Sequence, residues 1–214
     1  RPKVDGSLKY PSDHYEKGMI WGRVLRAKHP HARIISIDTS AAERLPGVVA
    51  VLTHKDVKGS NRFGIERQDQ PVLCSDRVRY VGDAVALVGA ETKEAAERAL
   101  GLIQVEYEPL PRVDDPRAAL AKGGPWIHEG GNIIHELHFV RGDVEAGFAG
   151  ADLVVERTYR TQMMDHAFLE TEAGLAESPV FVAAFERGKG KVMLIGSVPF
   201  SDYELKKSGF DNTK

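Results

Sequence analysis

The chain has 214 residues, with 29 Lys+Arg against 31 Asp+Glu and a formal charge of −2, so no net field selects nucleic acid or an anionic membrane as partner. At 42% hydrophobic and 28% charged it can build a globular core, which disfavours disorder, and a single cysteine excludes an internal disulfide and every cysteine-rich metal site within these residues. No run reaches the ~20 apolar residues of a membrane helix, and RPKVDGSLKY lacks the apolar centre of a secretion signal, so a cytoplasmic protein is expected.

In chain order, Met19 to Lys28 alternates apolar and charged positions and predicts a strand with one wet face, and Arg33 to Asp38 repeats the signal. His29-Pro30-His31 between them reads as a turn, its histidines structural or on the surface because no third ligand is near. Ser40-Ala41-Ala42-Glu43 has the form of a capping box opening a short helix at Ala41, which Pro46-Gly47 ends. Gly47 to Thr53 then predicts a buried strand.

Lys58 to Gln70 shows no period and predicts a loop long enough to be functional. Cys74 follows it with no base beside it and reads as a small, partly buried residue. Ala84 to Ala90 predicts another buried strand. Thr92 can cap a helix whose Ala95, Ala99, Leu102 and Ile103 share one face, and which stops near Gly101 before a strand over Leu102 to Tyr107. Glu108 to Gly131 is dense in proline and glycine and predicts an extended arm between two modules, 1–120 and 121–214. In the second, Asp143 can cap a short helix reaching Phe148, and Ala151 to Arg160 alternates like a strand. Neither a P-loop nor a dinucleotide fingerprint occurs.

The ordered segments GRVLRAKHPHARIISIDTSAAERLPGVVAVLT, DQPVL, RVRYVGDAVALVGAET, IQVEYEPLP and RGDVEAGFAGADLVVERTYRT resemble the N-terminal part of the molybdenum-cofactor-carrying large subunit of the xanthine dehydrogenase and aldehyde oxidoreductase family, over roughly Val4 to Glu177. The resemblance implies an α+β fold: an α/β hammerhead domain over 1–120, then a linker and part of a mixed α/β molybdenum-cofactor-binding domain over 121–214. It implies oxidative hydroxylation of an aldehyde or N-heterocycle with oxygen from water, molybdenum held by molybdopterin, and iron–sulfur clusters and FAD on partner subunits or domains.

The family's Gly-Gly-Gly-Phe-Gly-Gly-Lys segment and the Gly-x-Gly-Glu segment carrying its catalytic base are not among these residues, so the resemblance assigns no catalytic residue here and places those groups elsewhere. Asn61, Phe63 and Gly64 align with a family stretch near the substrate funnel; Phe63 either lines the entrance or anchors the loop. Asp165-His166-Ala167-Phe168-Leu169-Glu170 resembles a Glu-His-x-x-Leu-Glu segment, which puts His166 and Glu170 either near the cofactor domain's interior or in a structural hydrogen-bonded pair. Ser197 lies about where the family has a Ser-Gln or Thr-Gln, but Val198 cannot donate the amide hydrogen bond. Val198, together with Met164 where many members have Gln, motivates a second reading: a binding or scaffolding module that keeps the hammerhead fold without catalysis.

Overall fold

The computed structural model describes residues 1–10, 13–15, 17–162, 164, 173–176 and 192–195. After a short N-terminal helix, α1 (Pro2–Asp5), come β1 (Ile20–Arg26) and β2 (Ala32–Asp38), α2 (Ser40–Glu43), and β3 (Val48–Leu52). Three two-residue strands follow, β4 (Arg62–Phe63), β5 (Gln70–Pro71) and β6 (Arg77–Val78). The chain continues through β7 (Ala84–Ala90), α3 (Lys93–Leu100), β8 (Gln104–Pro109), α4 (Pro116–Ala119) and α5 (Val144–Ala149), and β9 (Ala173–Ala176) and β10 (Val192–Ile195) complete the described elements. The architecture is α+β, as expected.

The larger sheet has the order β3-β7-β1-β10-β9, and the smaller one β6-β2-β8. β7 is the strand that joins the layers. Because side chains alternate along a strand, its Ala86, Val88 and Ala90 face a cluster with Ala42, Ala95, Ala96 and Ala99 of the two helices. Its Val85 faces the second cluster, with Ala32, Ile34 and Val78 of the smaller sheet and Ala27 and Cys74 of the connecting segments. Both faces of β7 are therefore buried, which explains a sequence with no polar residue from Ala84 to Ala90.

α3 forms where its cap predicts: the Thr92 side chain accepts the Ala95 N–H at 3.1 Å, and Gly101 is the C-cap. Its buried face is built of alanines, so helix and sheet approach closely. α2 corrects the expected capping box. The N-cap is Thr39, whose hydroxyl donates to Glu43 Oε1 at 2.5 Å, while the Ser40 hydroxyl turns back to Asp38.

Two further corrections have physical causes. β3 is an edge strand, half-buried rather than fully buried, because among the described residues only β7 pairs with it. The stretch from 151 to 160 forms no strand among the described residues; it is exposed, so its alternating apolar side chains have no layer to pack on there. In β2, a bulge between Ile34 and Ser36 leaves Ile35 half-exposed and turns Ile37 back to the core, which strict alternation would not do.

Candidate functional site

The linker and the loop that carries β4 and β5 meet in a polar cleft of about 480 Å³. Its walls include Asn61 and Arg62 at the start of the loop, Arg67 and Asp69 at its far side, Arg79 after β6, and His128 from the linker. The loop's geometry follows from two residues. Asn61 donates from Nδ2 to the Leu73 carbonyl at 2.7 Å and accepts the Leu73 N–H on Oδ1 at 3.0 Å, closing the loop at its base. Gly64 has φ +147°, and a Cβ placed on it would lie 1.8 Å from the Arg67 carbonyl oxygen, so glycine alone fits the tight return.

Of the three channel candidates, Asn61 lines the cleft with its amide committed to Leu73. Phe63 and Gly64 are half-buried in or beside β4, and neither is on the cleft wall. β4 alternates: Arg62 faces the cleft and Phe63 the other side. Asp165, His166, Glu170 and Ser197 lie outside the described residues, as does Val198. Met164 is exposed. Among the described residues no group of three His, Cys, Asp or Glu side chains could hold a metal ion, and no helix is long and apolar enough to cross a membrane.

Arg79 of the cleft wall leads to a buried polar pair that the sequence did not announce. Asp83, 3% exposed, accepts the Arg79 N–H at 2.6 Å and the Cys74 thiol proton. Burial pushes the Cys74 thiol up, with the Asp83 charge adding to the effect. The thiol is thus inert, a hydrogen-bond donor and not a nucleophile. Burial also raises the Asp83 carboxyl above its ordinary value, against the opposing hydrogen bonds from Arg79 and Cys74. The native state therefore keeps the Asp83 proton to higher pH than the unfolded chain does. Its contribution to stability is full below the unfolded pKa and declines as pH rises through the folded one. Asp83→Asn, which can still accept from Arg79, is expected to flatten that decline in urea-melt stability between acid and neutral pH. A variant that instead loses ground to the wild type as pH rises would show that the native fold favours the carboxylate.

Of the two roles open to the histidines of the first turn, structural or surface, the contacts favour the structural one. His31 is 4% exposed, and its Nδ1–H donates to the Pro111 carbonyl at 2.7 Å, fixing where the linker departs. His29 stacks obliquely on Tyr107, with ring centroids 4.8 Å apart. The linker's other fastenings were missed in the sequence. The Arg79 guanidinium donates from Nε to the Ile127 carbonyl at 3.2 Å, and His128 and His135 stand against Asp69 and Glu66 of the loop. These partners are far apart in sequence and have no periodic pattern, so only the folded chain brings them together.

Comparison with known proteins gives two matches in series. Residues 5–111 match the family described as aldehyde oxidase and xanthine dehydrogenase, a/b hammerhead domain, and residues 127–180 match the molybdopterin cofactor-binding domain. The chain is 55% identical over 176 residues to a probable xanthine dehydrogenase component of Bacillus subtilis, covering 82% of this chain and 24% of that protein. It is 42% identical to the nicotinate dehydrogenase large molybdopterin subunit of Eubacterium barkeri, covering 81% of this chain and 41% of that one. Among solved structures, quinoline 2-oxidoreductase from Pseudomonas putida 86 superposes with a TM-score of 0.73 at 30% identity, over 90% of this chain and 25% of that one. The chain thus spans between about a quarter and two-fifths of the length of these curated relatives.

Proposed function

The chain belongs to the aldehyde oxidase and xanthine dehydrogenase family, and from that premise we propose that it supplies the hammerhead domain and the opening segment of the first cofactor-binding domain of a molybdenum hydroxylase. The cofactor is molybdenum held by molybdopterin. The reaction is hydroxylation of an aldehyde or N-heterocycle with oxygen from water, in the cytoplasm. Iron–sulfur and FAD subunits receive the electrons. We draw the domain boundary near residue 120, inside the linker that Pro111 and Ile127 fasten at its two ends.

The described residues do not fit direct ligation of molybdenum, since no cluster of His, Cys, Asp or Glu is present among them. No catalytic step is assigned to them. Their part in the reaction is architectural. The hammerhead holds the cleft and the linker's course, and the catalytic glutamate and the main cofactor contacts belong to residues outside this chain. Asn61, Phe63 and Gly64 shape the loop at the mouth of the cleft. We keep Asp165, His166, Glu170 and Ser197 as candidates for the cofactor-facing side of the second domain.

One observation carries this reading. From Ile134 onward the segment that matches the cofactor-binding domain exposes Leu137 and Phe139 at 81% each, Leu153 at 79% and Tyr159 at 87%. A run of large apolar side chains exposed to this degree is a docking face, and its natural occupant is the remainder of that domain. The test is Phe139→Asp in the native assembly, with molybdenum content and molybdenum-dependent oxidation of an aldehyde or purine-like substrate as readouts. A fall in both is expected, because a carboxylate forced into an apolar interface is costly. Full molybdenum content and rate in the variant, or a native assembly with neither, would overturn the proposal.

A further inference from the structure

Two opposite walls of the polar cleft are returns of the chain, and each is closed at its base by an asparagine amide. On one side Asn61 closes the loop through its two hydrogen bonds to Leu73. On the other, His128, Glu129 and Gly130 line the cleft from a tight turn in the linker, in which the Gly131 N–H donates to the His128 carbonyl at 3.0 Å. Gly131 has φ +92°, a left-handed conformation that favours glycine, and it brings the chain back on itself. Asn132 follows at once, and both ends of its side chain are engaged. Oδ1 accepts the Ile127 N–H at 2.9 Å and so joins the two residues that flank the turn. Nδ2 donates to the Ala119 carbonyl and to the Pro125 carbonyl, each at 3.0 Å, which ties the turn to the end of α4.

Ile127 is held from both sides, its N–H by Asn132 and its carbonyl by Arg79 Nε at 3.2 Å. Arg79 is set in turn by the hammerhead. Asp83 accepts its backbone N–H at 2.6 Å, and the Gly82 N–H donates to the Ala27 carbonyl at 2.8 Å. A continuous series of hydrogen bonds therefore leads from the buried Asp83 through Arg79 and Ile127 to Asn132. No residue from 111 to 135 is fully buried. Apolar packing thus contributes little to the placement of the turn, and these bonds decide it.

The geometry points to Asn132 as a positioning residue. It is not among the residues that line the cleft, yet it holds the turn that forms one wall, and thereby sets how tightly the cleft binds a substrate. This rests on the reading of the chain as part of a molybdenum hydroxylase, with the cleft on the substrate's path.

Asn132→Ala removes all three bonds. Asn132→Asp keeps the volume and the acceptor, but sets a second carboxylate oxygen against the Ala119 and Pro125 carbonyls. Hydrogen exchange of the native full chain, in peptides spanning 117–135, tests the placement alone. A neutral bond of this kind is worth roughly a factor of two to ten, so protection there is expected to fall about tenfold in both variants while β7 stays protected. Kinetics of the native assembly test the consequence. For the aldehyde or purine-like substrate that it oxidises, KM is expected to rise about three- to tenfold with kcat per bound molybdenum unchanged, because binding weakens with the fraction of molecules whose wall is in place. A merely structural residue would lower the amount of folded, loaded enzyme and leave KM alone. Wild-type exchange in Asn132→Ala would overturn the inference, and so would a wild-type KM in a variant whose exchange has risen. A native assembly with no molybdenum-dependent oxidation would instead overturn the hydroxylase reading and the kinetic consequence with it, and the exchange result would still decide whether Asn132 places the turn.

Discussion

Gly64→Ala is expected to destroy the local structure of the long loop and to lower the stability of the hammerhead by about 2–4 kcal/mol. Two costs combine. The backbone at Gly64 has φ +147°, a conformation open essentially to glycine, and the added Cβ would sit 1.8 Å from the Arg67 carbonyl oxygen. The obstacle is backbone, so no rotamer change can relieve it. The return from β4 to β5 must open, and Arg62 and Asp69, which line the cleft, must lose their positions. Urea denaturation gives the stability, and exchange protection of residues 60–71 reports the loop. A variant with wild-type stability and loop protection would show that the loop has a second conformation of equal energy.

Ala99→Leu is expected to lower stability by about 1–3 kcal/mol, through overpacking and not through loss of any contact. Ala99 and Ala96 are wholly inaccessible and Ala95 nearly so, and together with Ala42 they form the layer on which Ala86, Val88 and Ala90 of β7 rest. α3 sits close to the sheet because its inner face is only a methyl group deep. Even Gly47, in the turn before β3, would bring an added Cβ to 3.5 Å from that of Ala95. A larger side chain must lift the helix and open the space between layers. For a domain of this size the thermal midpoint should drop by several degrees. Ala99→Ser keeps the volume and is expected to cost less, so comparing the two variants separates volume from polarity.

Much of the hammerhead was legible because its signals are local. The apolar run over Ala84 to Ala90, the Thr92 cap and the stop at Gly101 each rest on neighbours within a few residues, and each element formed where they placed it. Asp143 likewise capped the helix that ends near Phe148, its side chain accepting the Ala146 N–H at 2.9 Å. What failed depended on tertiary context. Gly47 to Thr53 is apolar enough for a buried strand, but strand order made it an edge. Ala151 to Arg160 alternates correctly and still forms no strand, since nothing among the described residues pairs with it.

The cleft was partly legible and partly hidden. Aperiodicity and glycines marked the loop, and Asn61 does line the cleft. The fastening of the linker was invisible, because Arg79, Asp69 and Glu66 find Ile127, His128 and His135 across long stretches of chain. Nothing local in the sequence marks Asp83, just before β7, yet it is buried and accepts hydrogen bonds from the Arg79 N–H and the Cys74 thiol.

The pairing of β1 with β10 sets the timetable of biosynthesis. Ile20 lies beside Val192 in a parallel ladder, whereas the other neighbour of β1, β7, is made far earlier. Ribosomes add roughly 5–20 residues per second, so a nascent chain carries one bare rim of β1 for on the order of ten seconds before β10 emerges. A bare strand rim is a template for pairing with other chains. Slowed translation between these strands should therefore raise the yield of aggregated product, and a chaperone that shields extended chain should be needed most in that interval.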